Sequence, residues 1–309
     1  MKMDDEIYVI GHRNPDTDSI CSAIAYADLK NRLGFKNVKP GRLGDINPET
    51  EFVLKKFNTE IPEIISDGTG MNLILVDHNE FSQSVKNIEK ARIIEVIEHH
   101  KINFNYPEPI FFLSRPVGAT ATIIADMFFE KNVEIPDKIA GILLASILSD
   151  TVIFKSKTTT DEDIEVANKL ADIVGISDIE KFGIEVKKAK SSIENLNARE
   201  IILSDFKDFE FKKGRVGIGQ VEIVDAREVE ERRKELLREL DNLRIDGGYD
   251  LIILMVTDIM REGSELLVSG NKDIVERAFD RRVVENSIYL EGVMSRKKEV
   301  VPRLQRILI

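Results

Sequence analysis

Short apolar runs recur along the first half of the chain, each followed by a stretch with helical periodicity. Ile7–Ile10 (IYVI), Leu73–Val76 (LILV) and Arg92–Ile97 (RIIEVI) have the length of buried strands. Ile20–Arg32 brings Ala23, Ile24, Ala27 and Leu29 near one side of a helix that Gly34 would end. Thr120–Lys131 and Asp137–Leu148 also read as helices. Strands of this kind alternating with helices predict a mainly parallel sheet, covered by helices on both faces and joined by right-handed crossovers. After about residue 185 the texture changes. Val186–Ser192 (VKKAKSS) is polar and poor in large apolar groups, which marks a linker. Beyond it, Asp225–Glu228 has the form of a capping box opening a highly charged helix to about Leu243. Gly247-Gly248 then breaks the chain, and Asp250–Thr257 and Leu266–Ser269 read as strands. The expected architecture is α/β throughout: a metal-binding domain over 1–188, a linker over 189–195, and a smaller C-terminal α/β domain with a mixed sheet over 196–309.

Length agrees with two domains, because 309 residues exceed what one core usually holds, about 250–300. Charged residues make up 32%, against roughly 25% in an average soluble protein, and the excess is rich in Lys and Glu, as in heat-adapted proteins. The formal charge of -11 repels nucleic acid and anionic membranes over most of the surface, so neither is an expected partner. Cys21 is the single cysteine and excludes an internal disulfide, which suits a reducing compartment. Met1–Glu6 is acidic and leads into only four apolar residues, unlike a secretory signal, and Leu251–Val256 is far too short to span a membrane. The expected location is the cytoplasm.

Chemistry gathers where the strands end. His12, Asp16 and Asp18 follow the first strand in GHRNPDTDS; Asp77, His78 and Asn79 follow the second; Glu98, His99 and His100 follow the third. Ser149-Asp150-Thr151 follows the apolar helix that begins at Asp137. All four histidines of the chain thus stand just past a strand end, and in an open parallel sheet those ends lie side by side along the ligand crevice. Taken singly, each motif has an ordinary explanation; Asp18-Ser19, for example, could cap the helix at Ile20. Together they make coincidence the weaker account. Carboxylates with a minority of imidazoles form a mixed oxygen and nitrogen site, and the absence of thiolates argues against structural zinc. The carboxylates suffice for two divalent ions about a shared ligand, roughly 3.5–4 Å apart in sites of this kind. Such a pair brings a bridging water near neutrality in pKa and screens a phosphoryl group under attack, so a phosphate ester or anhydride is the expected substrate. The basic run Ser295–Lys298 and Lys207, which sits between acids, are the candidate phosphate-binding cations, although either could equally be solvated surface.

GHRNPDTDS, VDHN, EHHK, PVGATAT (116–122), SDT (149–151), FKS (154–156) and the terminal SRKK resemble the family II inorganic pyrophosphatases, members of the DHH phosphoesterase superfamily. The similarity runs from about residue 7 to residue 303. It implies a cytoplasmic enzyme using two Mn2+ or Co2+ ions per subunit, with Mg2+ accompanying the substrate, to split pyrophosphate into two phosphates. By motif, His12 and Asp16 would bind one ion and Asp18, His99 and Asp150 the other, with Asp77 bridging. His100 would contact the substrate, Arg296 and Lys297 would hold the phosphate farther from the attacking hydroxide, and Lys207 would assist. The resemblance also implies an active site in the interdomain cleft and a homodimer formed through the first domain. His78 is expected to support Asp77. In place of the superfamily's Asp-His-His this chain has Glu98-His99-His100, and Glu98 is expected to orient His99 without itself binding metal. The alternative functions are a DHH-type phosphodiesterase or exonuclease, an exopolyphosphatase, and a catalytically silent metal- or nucleotide-binding regulator. The absence of Trp and the presence of only five Tyr disfavour the nucleic-acid enzymes, which stack bases on aromatic platforms.

Overall fold

The computed structural model describes residues 6–191, 193 and 196–308, which divide into two compact units, Met1–Lys190 and Ser191–Ile309. In the first unit, β1 (Ile7–Ile10), β2 (Val38–Arg42), β3 (Glu63–Ile64), β4 (Asn72–Val76), β5 (Arg92–Glu98) and β6 (Phe111–Ser114) form one parallel sheet in the order β3-β2-β1-β4-β5-β6. Helices α1 (Thr17–Arg32), α2 (Pro48–Lys56), α3 (Thr120–Glu130), α4 (Asp137–Asp150), α5 (Asp161–Val174) and α6 (Ile179–Ser191) flank it. From β1 the chain builds outward through β2 and β3, then returns to the other side of β1 and builds β4, β5 and β6. The direction of winding reverses between β1 and β4. Loops leaving their carboxyl ends therefore diverge and open a crevice. Register sets the height of that crevice: Ile10 pairs with Leu75, so His12 and Asp77 emerge two residues later at the same level.

Helix α1 starts at Thr17, three residues before the apolar periodicity begins. Its cap is Asp16, which accepts Ser19 N at 2.9 Å, so the ordinary explanation of Asp18-Ser19 as the cap of this helix does not hold. The Ser19 hydroxyl is used differently, accepting His12 N at 2.9 Å. That approach is close enough that a Cβ on Gly11 would overlap the same hydroxyl, so glycine is required there. The apolar run of β5 is interrupted by Glu95, which is buried and receives the Tyr26 hydroxyl and Lys30 Nζ from α1, each at 2.6 Å. The paired charge fixes α1 against the sheet.

The polar stretch read as a linker over 186–192 continues α6 as far as Ser191. Lys187 within it turns back onto Glu49 and Ser149, so the low apolar content reflects polar contacts, not extended chain. Of the linker expected over 189–195, residues 192, 194 and 195 lie outside the described residues.

The second unit has a mixed sheet of β7 (Phe206–Phe211), β8 (Gly214–Ile223), β9 (Leu251–Asp258), β10 (Gly263–Gly270) and β11 (Ser287–Glu291), ordered β11-β10-β9-β8-β7. Only β8 and β9 run parallel. All of β9 is buried because its alternate residues serve two cores. Leu251, Ile253 and Met255 pack with Val275 and Leu304 of α10 (Lys272–Phe279) and α11 (Val301–Leu308). Ile252, Leu254 and Val256 pack with Ile201 of α7 (Ala198–Leu203) and with Leu236 and Leu240. The expected capping box is not formed. Asp225 spends its carboxylate on the backbone and guanidinium of Arg227, leaving only a short α8 (Arg227–Glu230) before α9 (Arg233–Gly247). No helix among the described residues is long and apolar enough to cross a membrane.

Candidate metal centre

Asp77 stands at the middle of the crevice. It follows β4 in a left-handed conformation (φ 60°) while its N–H still donates to Ile97 O at 3.0 Å. The turn aims the buried carboxylate along the carboxyl edge of the sheet, where its two oxygens face opposite ways. Oδ2 lies 3.4 Å from His12 Nε2, and Oδ1 lies 3.3 Å from His99 Nε2. His12 Nε2 is also 3.5 Å from Asp16 Oδ2, and His99 Nε2 is 3.8 Å from Asp150 Oδ2. Ligand-type atoms of His12, Asp16 and Asp77 lie within 4.8 Å of one another; so do those of Asp18, Asp77, His99 and Asp150, and those of Asp77, His99 and His100. Asp77 belongs to every group. The ends of β1, β4 and β5 and of α4 thus bring together every ligand candidate named from sequence.

The hydrogen bonding leaves the correct atoms free for a cation. His12 Nδ1 contacts Arg13 O at 2.7 Å and His99 Nδ1 contacts Val117 O at 3.0 Å. A carbonyl can only accept, so each Nδ1 carries a proton, and each Nε2 faces Asp77, where it can give a lone pair to a cation once its own proton is displaced. His99 Nε2 and Asp77 Oδ2 are buried without a hydrogen-bond partner. Orphaned buried atoms of these types, gathered among carboxylates, fit a divalent cation that accepts oxygen and imidazole ligands.

Asp18 is held by four donors: Thr120 N at 2.7 Å, Ala121 N at 3.0 Å, and the hydroxyls of Ser22 and Ser146 at 3.1 and 2.5 Å. The two backbone donors belong to the first turn of α3, whose N-terminus favours an anion. The loop feeding that turn is clamped by Asp163 of α5, which accepts Gly118 N at 2.9 Å, Thr122 Oγ1 at 2.6 Å and Thr160 Oγ1 at 2.7 Å. A Cβ on Gly118 would meet Thr151 and Asp163, so this loop admits no larger residue. Asp163 and Ser146 were not singled out in the sequence. Ser146 had a readable signal, a lone hydroxyl inside the apolar run of α4; Asp163 had none, since its partners are 41 and 45 residues away. Asp163→Asn removes acceptors from buried donors and should lower stability by about 2 kcal/mol and weaken Mn2+ binding about tenfold or more. Thermal melts in chelator and Mn2+ titrations would measure both.

The electrostatics call for positive charge. Burial, reinforced by the Asp77 charge, pushes Asp18 up to about 7 and holds Asp150 well above the carboxylate range. Burial alone would pull His12 down, yet Asp16 and Asp77 push it up to about 11; His99, beside Asp77 and Asp18, rises to about 10 for the same reason. Asp77 is the exception: burial opposes its ionisation, but the flanking imidazoles hold it below the usual carboxylate range. Acids and bases alike draw protons into the cluster, as expected where several carboxylates share a site.

Two supporting roles differ from expectation. Glu98, fully buried at the end of β5, orients His100 and not His99: its Oε1 accepts His100 N at 2.7 Å and lies 3.0 Å from His100 Nδ1. Strand β5 ends at Glu98, and the chain turns there, so that the acid meets the backbone N–H and ring of His100 two residues on. The His99 and His100 ring centroids lie 4.0 Å apart beside Asp77. His78 does not touch the Asp77 carboxylate. It is buried, lowered by that burial, and bridges Val76 O (2.9 Å) and Ser84 Oγ (3.0 Å), pinning the backbone from which Asp77 departs. His12, Asp77, Asn79, Gln83, His100 and Lys101 line a cavity of about 360 Å³ beside the cluster.

In the second unit, Lys207 pairs with Ile218 across the β7–β8 ladder, and Arg296 donates to Ile218 O at 3.2 Å. Arg296 also grips the Asp205 carboxylate at 2.8 and 3.0 Å. Lys207 and Lys297 are exposed and make no salt bridge among the described residues. Lys207 and Arg296 thus both adjoin Ile218, Lys297 follows Arg296 in the chain, and Arg296 is fixed in place while the two lysines are exposed.

A doubly wound parallel sheet whose carboxyl edge gathers acids and imidazoles about one shared aspartate defines an α/β protein built to bind divalent metal, joined here to a mixed-sheet unit. Residues 6–147 match the family model of the DHH family N-terminal domain, and residues 184–307 match that of the DHHA2 domain. A manganese-dependent inorganic pyrophosphatase of Methanocaldococcus jannaschii is 52% identical over 97% of this chain and 98% of its own length. One from Bacillus subtilis is 44% identical over 97% of this chain and 98% of its own. A crystal structure from Methanococcus jannaschii, assigned to the family II inorganic pyrophosphatases, superposes with a TM-score of 0.61 at 51% identity, covering 98% of this chain and 99% of the other. The chain belongs to the manganese-dependent inorganic pyrophosphatases.

Proposed function

We propose that this chain hydrolyses inorganic pyrophosphate to two phosphates, with His12, Asp16 and Asp77 holding one divalent ion and Asp77, Asp18, His99 and Asp150 a second. The observation that carries the reading is the division of Asp77: its two oxygens face two separate sets of ligand atoms. Bound there, Mn2+ or Co2+ would bring a water near neutrality in pKa and screen the phosphoryl charge, with Mg2+ accompanying the substrate. His100 is reserved for substrate because its Nδ1 is already engaged by Glu98, and its half-exposed ring borders the cavity. Lys207, Arg296 and Lys297 hold the phosphate that leaves. The family relatives favour pyrophosphate over the phosphodiester and polyphosphate substrates of other DHH proteins. In this reading the enzyme is cytoplasmic and dimerises through the first unit. Edge strand β6, with Phe111 51% exposed, offers a surface for sheet continuation, and sedimentation of the purified protein would test it.

The test of the reaction is direct. With Mn2+ present, phosphate should be released from pyrophosphate and not from a dinucleotide or a long polyphosphate, and chelator should stop it. Turnover of the dinucleotide or polyphosphate instead would overturn the substrate assignment, and no turnover at all would favour a regulator. The division of labour has its own test. Lys297→Ala should lower kcat/KM about 10²-fold or more, the scale of losing one phosphate-clamping cation, while Mn2+ affinity stays unchanged. Loss of metal in that variant would contradict the assignment.

A further inference from the structure

One more carboxylate is buried beside the ligand groups and belongs to none of them. Glu49, in the first turn of α2, is 2% exposed. Its Oε1 accepts the Thr17 hydroxyl at 2.7 Å and also the Ser149 hydroxyl. Lys187 of α6 places Nζ 3.3 Å from Glu49 Oε2 and 3.1 Å from Ser149 Oγ. The hydroxyls it gathers are those that touch the ligand chain on either side. Thr17 stands between Asp16 and Asp18, and Ser149 immediately precedes Asp150. Four segments remote in sequence thus meet at one buried acid. Because Lys187 offsets the Glu49 charge, the pair supplies directed hydrogen-bond acceptors without adding net negative charge to an already anionic site. An apolar side chain of the same volume would fill the space but leave both hydroxyls unaimed.

We propose that Glu49 and Lys187 are a positioning pair that fixes Thr17 and Ser149 and, through them, the spacing of Asp16, Asp18 and Asp150 for metal. The assignment rests on the ligand sets proposed above. It carries an asymmetry: Ser149 adjoins only Asp150, so its loss disturbs one ion, whereas Glu49 reaches ligands of both.

The experiment is a Mn2+ titration of the full chain, with free ion counted by electron paramagnetic resonance and melts recorded in chelator. Glu49→Gln should weaken binding about 10- to 100-fold, the scale for a group that orients a ligand. Ser149→Ala should shift only one of two binding steps. Lys187→Met should resemble Glu49→Gln, and Lys187→Arg, which keeps the charge, should return affinity toward wild type. Isotherms of Glu49→Gln and Ser149→Ala that overlay the wild type would overturn the proposal. So would Lys187→Arg binding as weakly as Lys187→Met while both melt well below wild type, since the pair would then serve stability alone. If Glu49→Gln does not fold, Ser149→Ala and the two Lys187 variants decide. Failure of the wild-type chain to bind Mn2+ would be a different result, overturning the ligand sets themselves.

Discussion

Asp77→Asn should reduce pyrophosphate turnover by at least about 10³-fold, more than any other single substitution in the chain. The amide keeps the shape of the side chain and still accepts through one oxygen, but it offers one neutral acceptor where two anionic oxygens now face His12 and His99. Every ligand group in the crevice includes Asp77, so both proposed ion sites would lose a member together, whereas loss of Asp16 or Asp150 removes one from a single group. A second consequence is visible without metal or substrate. His12 and His99 are raised to about 11 and about 10 in part by the Asp77 carboxylate, and in the variant both imidazoles should titrate at lower pH. NMR titration of the histidines in the wild type and the variant reads this. Unchanged turnover in Asp77→Asn would remove the centre of the proposed site.

Removal of metal should produce the largest change in stability. A ligand at a thousandfold excess over its Kd stabilises the folded state by about 4 kcal/mol, which for a unit of this size is roughly 10 °C in Tm. The gap should depend on pH. Without metal, Asp18 is raised from 3.8 to about 7, so between those values the folded chain keeps a proton that the unfolded chain has released; stability falls as pH rises through that window. His12 and His99, raised from 6.5, contribute stability that is fully present below that value and is lost as pH rises toward about 11 and about 10. Asp77, lowered, acts oppositely, and its contribution is lost only as pH falls into the acid range. Metal-free protein should therefore weaken steadily from about pH 5 to about pH 8, while Mn2+, which binds the ionised ligands, stabilises most at the upper end. Melts with Mn2+ and with chelator across that range check the prediction; parallel curves would contradict it.

Much of the site was legible because strand ends are easy to find. Four-residue apolar runs located β1 and β4 almost to the residue, and the polar residues just past them had to fall on the sheet's carboxyl edge. What escaped were residues whose role depends on distant partners. Asp163 reads as an ordinary helix-start acid, and does cap α5, yet it also clamps the loop that feeds α3. Glu49 lies in the first turn of a short charged helix and resembles surface. The Asp225 capping box failed for a local reason: Arg227, two residues on, competes for the same carboxylate. The expectation about Glu98 failed because β5 ends there and the turn that follows brings the His100 N–H and ring, not the His99 ring, onto its carboxylate.

By itself the sequence determined which residue types stand at each strand end, since apolar length and period fix where strands stop, and it determined the resemblance that named the family. Only the tertiary structure decided which of those ends adjoin. The order β3-β2-β1-β4-β5-β6 and the pairing of Ile10 with Leu75 bring His12 level with Asp77. Strand order and register are set by packing and pairing between segments far apart in the chain, and no local pattern encodes them.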